Sequence, residues 1–350
     1  MRIAYVINSV EGGGAALPVP SLTRVLRDAG AEVVVLALTR RDGRALPAMD
    51  ASGLEVRVRP GGERDHRAAL RWLDAQVREW RPTHIWTSLT RATLLGQIVG
   101  LRRRIPVVSW QHAAFLKPAN LFLLRRMQRL SRLWIGDSEA ITRLTAERLR
   151  VPPDRLMQWS IFRADPDAPQ AAAWRAGEPV RIGSLGRLHP VKGYGWLAEA
   201  LARLSGTTPY RAIIGGDGAE REALAATGRL DLAGYVTDPP AFLAGLHLYV
   251  QPSRSEGFCV GAHEAMAAGL PVIGSATGEM RHSIVPGETG WLVPPGDVGA
   301  LAEALAAALA DPVRLRAMGQ AARARVLARY GPAEFEAAGL AIVTRLREML

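Results

Sequence analysis

Two glutamates, Glu256 and Glu264, are separated by seven residues in Glu256-Gly-Phe-Cys-Val-Gly-Ala-His-Glu264, just after an apolar run ending Gln251-Pro252-Ser253. The spacing places Glu256 on a loop and Glu264 inside the opening turns of the helix that follows. Between them the backbone N–H groups of Phe258, Cys259 and Val260 face outward unpaired, a ready seat for a phosphate. Carboxylates on either side of such a phosphate would accept hydrogen bonds from sugar hydroxyls. Either one taken alone reads equally as a helix cap or a solvated face.

A second cluster, Gly186-Arg-Leu-His-Pro-Val-Lys192-Gly193, follows the apolar run Val180–Leu185. Arg187 and Lys192 on one glycine-bounded loop can converge on a diphosphate and neutralise charge on a departing nucleotide. Lys192 is one of two lysines in the chain, the other being Lys117. A third cluster, Gly215-Gly216-Asp217-Gly218, follows Tyr210–Ile214, and its small residues, Gly216 among them, let a nucleotide approach the backbone.

These loops need strands behind them and helices ahead. In the first half, short β-branched runs occur at 2–8, 32–39, 54–59, 84–87, 106–110 and 133–136, separated by helical stretches at 67–80, 92–101, 121–132 and 139–149. The pattern restarts at 180–185, 210–214, 232–236, 248–251 and 271–273, with helices near 194–204, 219–226 and 259–268. Buried runs linked by helices indicate parallel sheets covered on both faces. The expected class is α/β with two Rossmann-like, doubly wound domains facing across a cleft. Residues 1–165 form the first, with the helix 333–350 packing back on it, and residues 175–332 form the second. The Pro/Ala/Asp-rich stretch 163–179 reads as a linker.

Composition narrows the function classes. At 350 residues with 48% apolar and 22% charged, the chain is globular and long enough for two cores. A single cysteine, Cys259, excludes a disulfide framework and a Cys-rich zinc site. The N-terminus does not read as a signal peptide, and no apolar run is long enough to span a membrane. A soluble, reducing, cytoplasmic setting is expected. The net charge of +11 is carried by one half: residues 1–170 hold 27 basic and 16 acidic residues, and residues 171–350 hold 17 of each.

The ordered set GRL…KG, GGDG, PS..EGF…..EA, GLPVI and GETGWLVPPGD resembles the family 4 glycosyltransferases of the GT-B fold. The resemblance spans nearly the whole chain, and its specific motifs lie within 180–300. It implies a retaining enzyme with a nucleotide-diphosphate sugar as substrate, no cofactor and no metal. By the same resemblance Arg187 and Lys192 grip the donor diphosphate, Glu256 contacts the transferred sugar, and Glu264 contacts the ribose. In the first domain Gly12-Gly13-Gly14 matches the family's glycine loop, with Gly13 and Gly14 under the phosphates, although Pro18 and Pro20 depart from it. It is not a dinucleotide fingerprint, because Leu17 stands where the last glycine would be. Trp110-Gln111-His112 resembles the strand end carrying the family's catalytic-cleft histidine. His112 would orient the sugar, support oxocarbenium charge through its carbonyl, or bond the sugar 6-position. Cys259 and His282 replace a common glycine and a common acid, and Asp165-Pro166-Asp167 reads as an accidental D-x-D.

From Arg81 to Gly136 there are ten basic residues and no acidic one. Plotted as one helix, Leu123, Met127, Leu130 and Trp134 share a face, with Arg125, Arg126, Arg129 and Arg132 opposite. Arg102, Arg103 and Arg104 form a second cluster. Such a patch suits an anionic membrane surface or a lipid-pyrophosphate acceptor. Nucleic acid is not expected, since no recognition motif accompanies the charge. The reading is a glycosyltransferase with a nucleotide-sugar donor and a glycan or lipid-linked acceptor, positioned in the cytoplasm or at the inner membrane face. A GT-B epimerase, a glycan phosphorylase and a non-catalytic sugar-nucleotide binder are the alternatives.

Overall fold

A computed structural model describes residues 1–206 and 208–349. The chain divides into two compact units, Met1–Arg163 with Ala333–Leu350, and Ala164–Pro332.

The first unit is built on strands β1 (Arg2–Ile7), β2 (Glu32–Ala37), β3 (Glu55–Val58), β4 (His84–Ser88), β5 (Val107–Gln111), β6 (Leu133–Gly136) and β7 (Leu156–Gln158). They form one parallel sheet in the order β3-β2-β1-β4-β5-β6-β7. The order reverses between β1 and β4, so a crevice opens beyond the carboxyl ends of those strands. Every residue of β4 and β5 is buried, including the polar His84, Thr87, Ser88, Ser109 and Gln111. β7 escaped the sequence reading because an edge strand of three partly exposed residues carries no periodic signal.

An aromatic stack forms one side of this core. Trp110 and Trp159 lie nearly coplanar at 5.2 Å, Trp86 meets both edge-on, and Phe335 closes on Trp159 at 5.4 Å. The Trp159 indole N–H donates to the Phe335 carbonyl at 2.8 Å, and His84 Nε2 meets the Leu346 carbonyl at 3.1 Å. These contacts bind the C-terminal helix, Pro332–Arg347, into the first unit.

The second unit holds β8 (Val180–Leu185), β9 (Tyr210–Gly215), β10 (Asp231–Gly234), β11 (Leu248–Gln251), β12 (Val272–Ser275) and β13 (Gly290–Val293). Their order, β10-β9-β8-β11-β12-β13, is again parallel and reverses between β8 and β11. The two most informative loops of the sequence leave these two strands, so both open onto the reversal point.

Two readings need correction. The stretch read as a linker belongs to the second unit. Ala171 is buried, its N–H bonds the Ala268 carbonyl at 2.8 Å, and its own carbonyl accepts from Arg316 at 2.6 Å. A small residue between prolines can pack on a surface as readily as it can stay mobile. The basic helix is also shorter than read: it runs Pro118–Met127 and gives way to a tight turn, Gln128–Leu130. Proline is tolerated in the first turn, which moves the start upstream, and the break after Met127 resets the phase. Leu124, not Leu123, is therefore the buried residue, packing with Trp134, Leu149 and Val151, while Leu123 and Phe122 are exposed.

Candidate active site

In the second unit Lys192 and Glu256 meet across the reversal point. Gly186 begins the first loop with its N–H on the Gly215 carbonyl, and a tight turn, Pro190–Lys192, ends it. Gly193 closes that turn with φ +70°, and a Cβ there would lie 2.1 Å from the Pro252 carbonyl oxygen. Only glycine lets the Lys192 loop sit against the segment leaving β11. Lys192 Nζ then donates to Glu256 Oε1 at 2.8 Å, and Ser253 Oγ donates to the same oxygen at 2.6 Å. Behind them Gln251 holds Ser253, Tyr249 holds Gln251, and the Thr277 hydroxyl accepts the Glu256 N–H. Burial alone would lower the Lys192 ammonium, but the adjoining Glu256 carboxylate holds it above its ordinary value.

The glycine turn packs directly beneath. A Cβ on Gly216 would meet the Gly186 carbonyl at 1.9 Å, and one on Gly218 the Leu188 carbonyl at 2.3 Å. Arg187 is exposed on the same loop with no acidic partner among the described residues. The helix Val260–Ala267 starts from Cys259, which is buried and held at φ +68°. Phe258 is buried against the His263 ring at 4.2 Å and the Tyr330 ring at 5.0 Å. Burial pushes the Cys259 thiol up, away from the thiolate form a nucleophile needs. It also lowers His263 to about 4 and raises Glu264 to about 7. Glu264 lies one turn into the helix and makes no ion pair among the described residues.

In the first unit His112 follows β5, one strand beyond the reversal. Its Nε2 lies 2.8 Å from Ser88 Oγ at the end of β4, and its Nδ1 lies 3.2 Å from Asp137 Oδ2 just beyond β6. Trp110 packs its ring at 5.3 Å. Gly13 and Gly14 occupy a turn beyond β1, where the Gly12 N–H is held by Asp42 at 3.0 Å, and the following helix starts at Val19 behind Pro18.

Similarity to known proteins identifies the chemistry. Residues 179–311 match the family described as Glycosyl transferases group 1, and residues 12–160 match Glycosyltransferase Family 4. The D-inositol 3-phosphate glycosyltransferase of Frankia alni is 31% identical over 86% of this chain and 87% of its own length. The chain belongs to the family 4 glycosyltransferases. The 2-deoxystreptamine N-acetyl-D-glucosaminyltransferase of Streptomyces fradiae is 28% identical over 91% of this chain and 88% of its own. Among solved structures, Anabaena HepE in complex with UDP-glucose superposes with TM-score 0.84 at 20% identity, covering 99% of this chain and all of that one, which fixes the GT-B fold.

This glycosyltransferase brings Arg187, Lys192, Gly216, Glu256, Phe258 and Cys259 onto the loops at the carboxyl ends of β8, β9 and β11, and Val260 and Glu264 into the helix that follows β11, while Gly13, Gly14 and His112 belong to the first unit. Lys192 and Glu256, read from the sequence as two separate ligand contacts, are one ion pair. His112, read as meeting the sugar through its side chain or its backbone carbonyl, has both ring nitrogens engaged by protein. Sequence reasoning missed Ser253, Thr277, Ser88 and Asp137, which hold these groups. For Ser88 and Asp137 the available signal was their place at the carboxyl ends of β4 and β6, on either side of β5. Also missed was a cavity of about 420 Å³ beyond β2 and β3. It is lined by Arg40, Arg41 and Arg59, the last two already neutralised by Glu11, Glu63 and Asp65. Among the described residues no three His, Cys, Asp or Glu side chains gather as a metal site.

Proposed function

We propose that this glycosyltransferase transfers a sugar, with retention and without a resident metal, from a nucleoside-diphosphate sugar to an acceptor hydroxyl in the assembly of a lipid-linked or surface glycan. The ion pair of Lys192 and Glu256 at the β8/β11 reversal carries the reading: a fixed cation beside a fixed hydrogen-bond acceptor suits a diphosphate joined to a sugar. Arg187, exposed and unneutralised, adds a second positive charge to the same loop. Lys192 and Arg187 stabilise the departing diphosphate, the helix N-terminus at Phe258, Cys259 and Val260 receives phosphate oxygens, and Glu256 orients the sugar. A phosphate oxygen of the leaving group takes the acceptor proton on the face that the nucleotide vacates, so the anomeric configuration is kept. Glu264 holds the ribose.

The acceptor belongs to the first unit, where the positive charge is concentrated. Arg125, Arg126, Arg129 and Arg132 are exposed with no acidic partner among the described residues, beside exposed Phe115 and Phe122. Arg102 and Arg104 are exposed too, whereas Arg103 is paired with Asp74 at 2.6 Å. Cations interleaved with bare aromatic rings suit an anionic lipid surface. Among the described residues no helix is long and apolar enough to cross a membrane.

A thermal-shift screen of nucleotide sugars, followed by NMR of the product's anomeric proton with and without EDTA, tests donor, retention and metal independence. Inversion, or activity abolished by EDTA and restored by a divalent ion, would overturn the corresponding part. In liposome sedimentation, anionic vesicles should pellet the protein and neutral ones should not. Reversing Arg125, Arg126 and Arg129 to Glu should abolish that difference.

A further inference from the structure

Ser88, His112 and Asp137 stand at the carboxyl ends of three neighbouring strands, β4, β5 and β6. Ser88 and Asp137 are 0% and 1% exposed, and the His112 side chain is 7% exposed. A buried carboxylate can only accept, so the Asp137 contact requires the proton on His112 Nδ1. Nε2 then carries the lone pair, and Ser88 Oγ–H donates to it. The ring has one orientation, because Trp110 packs it and each nitrogen has a different partner.

Two further observations set this chain apart from ordinary core packing. The other oxygen of Asp137, Oδ1, is buried with no hydrogen-bond partner, a cost that a purely structural carboxylate would be expected to avoid. Leu89, next after Ser88, holds φ +75° and ψ 158°, a conformation that strains any residue other than glycine. The strain lies beside the strand-order reversal and the orphaned acceptor just beyond β6, one at each end of the hydrogen-bond chain through His112.

We infer that Asp137 and Ser88 are positioning residues for His112: Asp137 fixes the Nδ1–H tautomer, and Ser88 occupies the Nε2 lone pair until a substrate hydroxyl replaces it. This rests on the reading of His112 as a residue that meets the sugar. A hydroxyl arriving at Nε2 exchanges one donor for another, so His112 accepts it without changing protonation or rotamer. Ser88 therefore competes weakly with substrate, whereas Asp137 determines whether the site is an acceptor at all.

The test uses the full-length protein labelled with ¹⁵N-histidine, and turnover of whichever of UDP-glucose, UDP-N-acetylglucosamine or GDP-mannose the wild type consumes, read as nucleoside diphosphate released. In the wild type the imidazole resonances lost in His112→Ala should show the Nδ1–H tautomer. Asp137→Asn, whose amide can donate to Nδ1, should shift His112 to Nε2–H and lower kcat at least tenfold with KM within about twofold. Ser88→Ala should keep the tautomer and kcat while lowering KM about two- to fivefold. If His112→Ala itself leaves turnover unchanged, the underlying reading of His112 fails. If His112→Ala is inactive but Asp137→Asn keeps the wild-type tautomer or kcat, the positioning role is overturned. Unchanged or raised KM in Ser88→Ala overturns the placeholder role. Asp137→Ala, compared by melting temperature, separates a fall in kcat from a fold that has simply loosened.

Discussion

The two units solve the same topological problem with different polar chemistry. At the β8/β11 reversal the second unit sets a full charge against a full charge, Lys192 on Glu256, drawn from two loops that are each continuous in sequence. Beside the β1/β4 reversal the first unit sets a chain of hydrogen bonds, Ser88 to His112 to Asp137, drawn from single residues on three strand ends. In the function proposed above, the charge pair keeps its cation in place for an incoming anion, and the hydrogen-bond chain orients an imidazole toward a hydroxyl. The surplus charge follows the opposite distribution, since the second half is neutral and the first carries the excess. Local need, and not the overall field, decides where ionic groups stand in each site.

Lys192→Ala should produce the largest effect and would break the comparison if it did not. It removes the cation expected on the leaving diphosphate and leaves Glu256 unneutralised. Turnover should fall about 10²–10³-fold, the range for losing one oriented electrostatic contact in a transition state. Stability should fall by about 2 kcal/mol for the stranded carboxylate. Glu256→Gln should keep most of the stability, because the amide oxygen can still accept from Lys192 and Ser253, yet still lose turnover. Wild-type turnover in both variants would show that the pair is only structural.

Two glycines sharpen the contrast at similar cost to the fold. In Gly193→Ala the new methyl would lie 2.1 Å from the Pro252 carbonyl oxygen, and in Gly339→Ala 2.6 Å from the Trp159 ring. Each should cost roughly 2–3 kcal/mol. Only the first should displace Lys192 and weaken nucleotide binding, by about tenfold in calorimetry. The second should raise hydrogen exchange in the C-terminal helix and around Trp159 and leave nucleotide affinity unchanged.

Much of this was legible from sequence, for physical reasons. The parallel strands showed because burial on both faces demands apolar runs, and Lys192, Glu256 and the glycines stood out because each belongs to a short motif continuous in sequence. Ser88 and Asp137 did not show, because they lie 24 and 25 residues from His112 and only strand pairing brings them to it. The Leu123/Leu124 phase failed because the 100° plot was carried across a helix break that the residues do not announce. The pairing of Lys192 with Glu256 stayed hidden for a third reason, since each loop was complete as a motif and neither required the other.

Glu264 gives a smaller effect with a defined sign. Its carboxyl is raised by burial from 4.5 to about 7, so between those values the folded state binds more protons than the unfolded chain. Stability contributed by this group is therefore fully present below about pH 4.5 and is lost as pH rises through about 7. Glu264→Gln removes the penalty. Its melting temperature should exceed the wild type's by a few degrees at pH 8 and match it near pH 4.5. If Glu264 also holds the ribose, the same variant should bind nucleotide more weakly at pH 8 despite being more stable. Equal melting at both pH values would show that the carboxylate stays hydrated.

The smallest effect concerns Cys259, and it separates a reactive group from a spacer. The thiol is buried and pushed away from ionisation, yet its backbone sits at φ +68°, where glycine is at ease and a side chain costs on the order of 1–2 kcal/mol. Cys259→Gly relieves that strain, loses the packing of one small buried side chain, and frees the unfolded chain. These contributions oppose one another at about 1 kcal/mol each, so the melting temperature should move by no more than about 3 °C. Cys259→Ala loses the sulfur and keeps the strain, so it should be the less stable of the two. Turnover should survive in both within about threefold, because the proposed function uses the backbone N–H groups of this turn and not its thiol. Loss of turnover in both, with melting unchanged, would make the sulfur chemically active and overturn the proposed reading of the turn as a phosphate cradle.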